Sequence, residues 1–228
     1  VSAWTFNNDE NSTSNNTFSL DYQRRNNMSV SDATFKPKLG RKWGSYEFDG
    51  EDDYMTAPLD IDDSPSTPGV TMTAWVVAHS TSSEFHWILS SGKGTSWGIG
   101  RYGDRWAYDT GGSGKIVSQP HVTTGRWYFV AAVYDPVVDD VRVYVNAAQI
   151  VSDSISYLDW NYNLDIGKVS DSSDDYWGGI IDDVRIYNRT LSEEEIKDQY
   201  DKGRNTDSIQ CCNDFIVPDT GIRIENIG

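Results

Sequence analysis

The chain has 228 residues, with 19 Lys and Arg against 35 Asp and Glu, a net charge of −16 at neutral pH. That sign excludes nucleic acid and anionic membrane surfaces as partners, because both require positive charge on the protein. No run of about 18 apolar residues is present to cross a membrane as a helix. The chain opens on Val1-Ser2 without an initiating Met or a basic-then-apolar leader, and so reads as a processed or trimmed chain that is secreted or displayed on a cell or virion surface.

In chain order, residues 7–38 are polar, carry Asn-Ser-Thr clusters and Arg24-Arg25, and read as a long loop decorating an opening strand. From Arg41 onward β-type segments follow at short intervals, and strands are predicted at 43–48, 53–57, 70–78, 86–90, 96–101, 106–110, 127–134, 140–145, 149–154, 164–167 and 179–187. Short Gly-, Ser- and Asp-rich punctuation separates them, and nothing between Ala3 and Gly203 reads as an interdomain linker. With 13% aromatic residues available for a core, residues 1–203 are expected to form one all-β, two-sheet antiparallel sandwich. Along the last strand, Ile181, Asp183, Arg185 and Tyr187 alternate against Asp182, Val184 and Ile186. A short helix then begins with a fully specified start. Ser192 is its N-cap, Glu195 closes a capping box, and Leu191 and Ile196 form a hydrophobic staple. Gly203 is the expected stop.

Residues 204–228 extend beyond this sandwich. Pro218-Asp-Thr-Gly221 signals a turn and 221–227 has the composition of an extra terminal strand, able to fold back or to add to a neighbouring copy. Cys211 and Cys212 are adjacent and cannot staple a long loop. A vicinal disulfide, bridges to another chain, or two free thiols all fit, with an oxidised state expected outside the cell.

Several segments together resemble one family. Ala3-Trp-Thr-Phe-Asn-Asn8 is similar to its opening strand. Trp43-Gly-Ser-Tyr-Glu-Phe-Asp-Gly-Glu-Asp-Asp-Tyr54 is similar to its strand and Phe-Asp-Gly-x-Asp-Asp-Tyr turn, and Val70-Thr-Met-Thr-Ala-Trp-Val-Val77 to its long core strand. The segments 126–135 and 141–146 resemble its next hairpin, and 178–197 its closing strand and helix. These segments identify a member of the LamG-like jelly-roll (concanavalin A-like lectin/glucanase) domains over roughly residues 3–202. The family usually has Asn-Gly where this chain has Asn146-Ala147, and alanine resists the positive φ of a primed turn. The resemblance implies a structural Ca²⁺ with Asp182 as ligand, beside Asp183 and oxygens near Asn7-Asn8-Asp9. The other position it offers is the turn bearing Asp49, Asp52 and Asp53, which suits a hard cation bound by oxygens. Asp171, Asp174 and Asp175 form a third acidic loop, read as solvated. His79, His86 and His121 are isolated, so zinc is not expected.

The same fold hosts glucanases with a Glu-x-Asp-x-Glu strand motif, and Glu47-Phe-Asp-Gly-Glu51 matches that spacing. Gly50 is nevertheless expected to break the strand before Glu51, no nucleophile elbow is present, and no Ser or Cys lies in a recognisable triad context. The module is therefore read as non-catalytic. Aromatic platforms flanked by Asn, Asp and Arg grip sugars, which makes Trp160 and Tyr162 the leading ligand-binding pair, followed by Arg105, Trp106 and Trp177. Asn11, Asn15, Asn27 and Asn188 are glycosylation acceptors by sequon. The expectation is an extracellular recognition or adhesion module for glycan or protein, stabilised by calcium. The alternative is a structural subunit of a surface filament, coat or viral appendage joined through the C-terminal extension; glycoside hydrolysis is a more distant one.

Overall fold

Strand formation follows the density of β-branched and aromatic residues, highest in Val70–Ala78, Trp127–Asp135 and Gly178–Tyr187, which lie side by side at the centre of one sheet. The computed structural model describes residues 2–4, 18–19, 26–41, 44–61, 69–92, 97–110, 115–154, 162–169 and 175–204. In chain order the strands are β1 Ser2–Trp4, β2 Phe18–Ser19, β3 Met28–Ser31, β4 Thr34–Lys36, β5 Ser45–Asp49, β6 Tyr54–Ala57, β7 Val70–Ala78 and β8 Phe85–Ser91. They continue as β9 Trp97–Tyr102, β10 Arg105–Thr110, β11 Lys115–His121, β12 Trp127–Asp135, β13 Asp140–Val145, β14 Ala148–Ser154, β15 Leu164–Ile166 and β16 Gly178–Tyr187, before helix α1 at Glu193–Arg204.

Sheet A runs β14-β13-β12-β7-β16-β5-β4, with β1 alongside the second half of β16; sheet B runs β11-β10-β9-β8-β15-β6-β3-β2. Pairing is antiparallel in both, and the inner faces close on one large apolar core, giving the expected jelly-roll sandwich. The sheets are also tied by Tyr134 of β12. Its ring stacks on Trp97 of β9 at 4.7 Å, and its hydroxyl donates to the carbonyls of Gly98 and Asp109.

Three expectations change. The polar stretch 7–38 is not all loop, since β2, β3 and β4 lie within it and add to both sheets. Their short length and mixed polarity hid them from a hydrophobic pattern. β11, which contains Pro120, was not anticipated and forms an edge of sheet B, where proline is tolerated. In β16 the strict alternation fails at a bulge between Asp182 and Arg185, where Asp183 has φ 47°. Ile181, Val184 and Ile186 consequently share the core, and Asp182 and Arg185 turn outward.

Outside sheet A a second apolar cluster gathers Trp75, Phe129, Tyr144, Tyr187, Leu191 and Ile196 under α1. Both arms of the capping box form: the Glu195 N–H donates to Ser192 Oγ and the Ser192 N–H to Glu195 Oε2. Gly203 lies in the last described turn, one residue before the helix bound at Arg204, where a Cβ would sit 2.3 Å from Trp75 Nε1. Among the described residues no helix is long and apolar enough to cross a membrane. Residues 205–228, with Cys211, Cys212 and the expected strand 221–227, lie outside the described residues.

Candidate functional site

The turn after β5 gathers carboxylates. Gly50 takes φ 88° and reverses the chain, so Glu51 leaves the strand face, as its glycine neighbour led us to expect. Asp49, Asp52 and Asp53 each bring a carboxylate oxygen within 4.8 Å of the others; among the described residues this is the only group of three or more metal-capable side chains that converges. Asp49 Oδ1 accepts from the Glu51 and Asp52 N–H groups, and Asp53 Oδ2 from the Asp49 N–H. Burial, with lesser help from the charges of Asp49, Asp52 and Asp32, pushes the Asp53 carboxyl up to about 6, against the pull of the Asp49 N–H. An oxygen-only donor set on a bent turn, short of charge compensation, fits Ca²⁺ and not zinc, with carbonyls and waters needed to complete six to eight ligands.

Asp182 and Asp183 have a different environment. Both are buried. Asp182 Oδ2 accepts from the Arg41 N–H at 2.6 Å and Oδ1 from the Asp183 N–H at 2.6 Å. Gly40 approaches this carboxylate so closely that a Cβ on it would sit 2.7 Å from Asp182 Oδ2. Arg41, positioned this way, lays its guanidinium 4.1 Å from the Trp75 ring centroid and donates to the Gly203 carbonyl at the end of α1. Asp183 is taken up by Arg185, which donates from Nε to Oδ1 and from Nη2 to Oδ2. Both carboxylates are thus held by protein donors, whereas at the Asp49 turn three carboxylates converge. Asn7, Asn8 and Asp9 lie outside the described residues.

The aromatic candidates divide. Trp106 and Trp177 are fully buried in the main core and offer no face to a sugar, which corrects their assignment as ligand-binding residues. Both sit on inward-facing positions whose loop-like sequence context concealed the burial. Arg105 is exposed, Tyr162 is half-buried, and Trp160 lies outside the described residues. Asn27 and Asn188 are exposed, as a sequon acceptor must be, while Asn11 and Asn15 fall outside the described residues. Glu47 pairs with Lys36 at 2.6 Å.

The outer face of sheet B carries a polar strip that no local motif announced. Met55, Ala57, Leu164, Ile166, Leu89 and Ile99 point into the core, so the residues between them point out. Strand register then aligns Ser29, Thr56, Asp165, Ser90, Gly98 and Asp109 in one row across six strands. Thr56 Oγ1 donates to Asp165 Oδ1 at 2.7 Å, and Ser90 Oγ donates to the Lys168 carbonyl. Burial pushes the Asp165 carboxyl above the usual carboxylate range. Asp165, Ser90 and Asp109 are recessed, whereas Tyr54, Thr56, Phe85 and Tyr102 are half-buried around them. Beside the row, Phe85 stacks on Trp87 at 5.7 Å and packs on Tyr102 at 4.9 Å. Gly98 keeps the Trp87 ring against the sheet, since a Cβ there would come within 3.2 Å of it.

Comparison with known proteins agrees with this architecture. Trypanosoma rangeli sialidase, solved with sialic acid, superposes with a TM-score of 0.68 at 14% identity, covering 88% of this chain and 32% of that one. The binding domain of botulinum neurotoxin serotype G superposes with a TM-score of 0.62 at 18% identity, covering 87% of this chain and 50% of that one. The chain thus spans half of the toxin domain and about a third of the sialidase, and at these identities the likeness is one of fold. A search of curated proteins returned no match. The sequence model of a laminin-G-type family, described as the concanavalin A-like lectin/glucanases superfamily, matches residues 49–197, from the Asp49 turn through α1. With well over half of its length matched and the jelly roll in place, the chain belongs to the concanavalin A-like lectin/glucanases superfamily.

Proposed function

We propose that the chain is an extracellular recognition module that holds glycan against the outer face of sheet B without cleaving it and is stabilised by Ca²⁺ at the Asp49 turn. The observation that carries this reading is the six-strand polar row with aromatic side chains beside it. The exposed Ser29 hydroxyl and the half-buried Thr56 hydroxyl, the latter oriented by Asp165, meet sugar hydroxyls, and Phe85 and Tyr102 offer edges and faces to their C–H groups. The net charge of −16 repels sugar carboxylates, so neutral glycans are the expected ligands. The neighbouring toxin fold is described as a receptor-binding domain, which supports a binding role for this architecture.

Cleavage is not part of the reading. Asp165 and Asp109 stand three strands apart in sheet B, roughly 14 Å at about 4.8 Å per strand. Retaining and inverting glycosidases need their carboxyls about 5–5.5 Å or 6.5–9.5 Å apart. The Ca²⁺ would be held by Asp49, Asp52 and Asp53 with carbonyls and waters, and would supply charge neutralisation that fixes the turn.

Retention of the chain on immobilised neutral and sialylated oligosaccharides tests the reading, with Asp165→Asn as the variant. The substitution keeps shape and removes the charged acceptor that fixes the Thr56 hydroxyl, so neutral-glycan affinity is expected to fall by up to about 10-fold, the scale of one charge-assisted hydrogen bond, with the melting temperature maintained. Equal retention by the variant, or no retention of any glycan, would remove the face as a sugar site.

A further inference from the structure

Between β7 and β8 the exposed segment 79–84 arches over one end of sheet B. Ser82 in this arch brings its Oγ within 2.7 Å of His86 Nε2, and His86 Nδ1 is hydrogen-bonded to the Tyr176 carbonyl. A carbonyl only accepts, so Nδ1 carries the ring proton and Nε2 of the neutral ring presents its lone pair to the Ser82 hydroxyl, which donates. His86 is buried while Ser82 is exposed: the base is shielded and the hydroxyl it serves faces solvent. Burial, reinforced by the Arg101 charge, holds the His86 pKa below its ordinary value, against the opposing pull of the Tyr176 carbonyl, Glu84 and Asp175. The ring is therefore unprotonated at neutral pH. Beneath the arch lies Arg101, fully buried, donating from Nη1 to the carbonyls of Ser82 and Gly103 and from Nη2 to Ser80 Oγ. Among the described residues no carboxylate pairs with it, and its Nε has no partner, so its positive potential falls on the underside of the Ser82 segment.

We propose that Ser82 is an acylatable nucleophile, activated by His86 and held in tautomeric register by the Tyr176 carbonyl, that accepts acyl groups from small esters. Oγ forms a bond to the acyl carbon as Nε2 takes the hydroxyl proton, and the ester C–O bond breaks, its alcohol leaving with that proton. A water then gives a proton to Nε2 and attacks the acyl-serine. The carboxylic acid departs and the proton returns to Ser82 Oγ. Arg101 favours the developing oxyanion through its field. This centre is independent of the sheet B face and of its reading as a glycan site.

The test is labelling of the intact chain by a fluorophosphonate probe, located by peptide mass, together with hydrolysis of p-nitrophenyl acetate. Labelling is expected on Ser82, absent in Ser82→Ala, about 10²-fold slower in His86→Gln, and declining only at a pH below the ordinary imidazole range, because burial delays the protonation of His86. Ser82 is on an exposed arch, so its alanine variant keeps the native melting temperature and serves as the reference even if His86→Gln unfolds. Wild-type labelling no faster than that of Ser82→Ala, or labelling confined to another residue, overturns the proposal and leaves the Ser82–His86 bond as a loop closure.

Discussion

Ala147 occupies a conformation that alanine disfavours. Asn146 and Ala147 take φ 51° and 65° in the two-residue link between β13 and β14, so the turn is of the primed kind despite lacking the usual glycine. Asn146 explains why it forms: its N–H donates to the Phe129 carbonyl and its Oδ1 accepts from the Phe129 N–H, fastening the hairpin tip to β12. Tertiary bonds thus override a local cost of about 1–2 kcal/mol for a left-handed alanine. Ala147→Gly should relieve most of that cost, less the contact Ala147 makes with the second apolar cluster. The expected gain is about 1 kcal/mol, or about 2–4 °C in melting temperature for a chain of this size. A thermal melt reads it; an unchanged or lowered midpoint would mean that the packing of the methyl outweighs the backbone strain. From the sequence the conflict between Asn146-Ala147 and a primed turn was visible. Its resolution was not, because the deciding partner, Phe129, stands 17 residues away.

At the scale of elements, α1 shows where local signals end. Its start is written in neighbouring residues, and Ser192, Glu195, Leu191 and Ile196 all play the parts that short-range capping chemistry assigns. Its last described turn is packed by Trp75 and Arg41, far off in sequence. The Trp75 indole leaves no space for a side chain at Gly203, and Arg41, fixed by Asp182 and stacked on the same indole, takes the Gly203 carbonyl. Helix propensity alone favours Gly203→Ala by about 1 kcal/mol. A Cβ only 2.3 Å from Trp75 Nε1 reverses the sign, because overpacking costs about 1–3 kcal/mol. We therefore expect a net destabilisation of about 1–2 kcal/mol in denaturant unfolding, with unchanged secondary structure. Stabilisation would show that α1 can ride away from sheet A. The same distinction explains the two acidic candidates. The Asp49 turn is contiguous, so its convergence could be read from five residues. Asp182 is instead reached by the Arg41 N–H, 141 residues earlier in the chain.

For the whole molecule, the sandwich was legible because long apolar strands and turn signals repeat along the chain, whereas the recessed row on sheet B was not. Ser29, Thr56, Asp165, Ser90, Gly98 and Asp109 belong to six strands scattered between residues 29 and 165, and only strand register joins them. The charge of −16 is likewise a property of the whole and complicates any test of calcium, because every added cation screens repulsion among the carboxylates. The Debye length falls from about 30 Å at 0.01 M salt to about 8 Å at 0.15 M, so sodium chloride alone should raise the melting temperature over that range and then level off. Site-bound Ca²⁺ behaves differently: it neutralises carboxylates held within 4.8 Å of one another, a separation shorter than any of these screening lengths. In 0.15 M salt, then, millimolar Ca²⁺ should still raise the melting temperature, following RT ln(1 + [L]/Kd), and Mg²⁺ at equal concentration should do so less, since it gives up its waters reluctantly. Asp49→Asn with Asp52→Asn should abolish the calcium increment and keep the sodium response, whereas Asp182→Asn should lower the starting melting temperature and keep the increment. A calcium effect that vanishes in 0.15 M salt, or that survives the Asp49–Asp52 double variant, would assign it to screening of the whole surface and not to the turn.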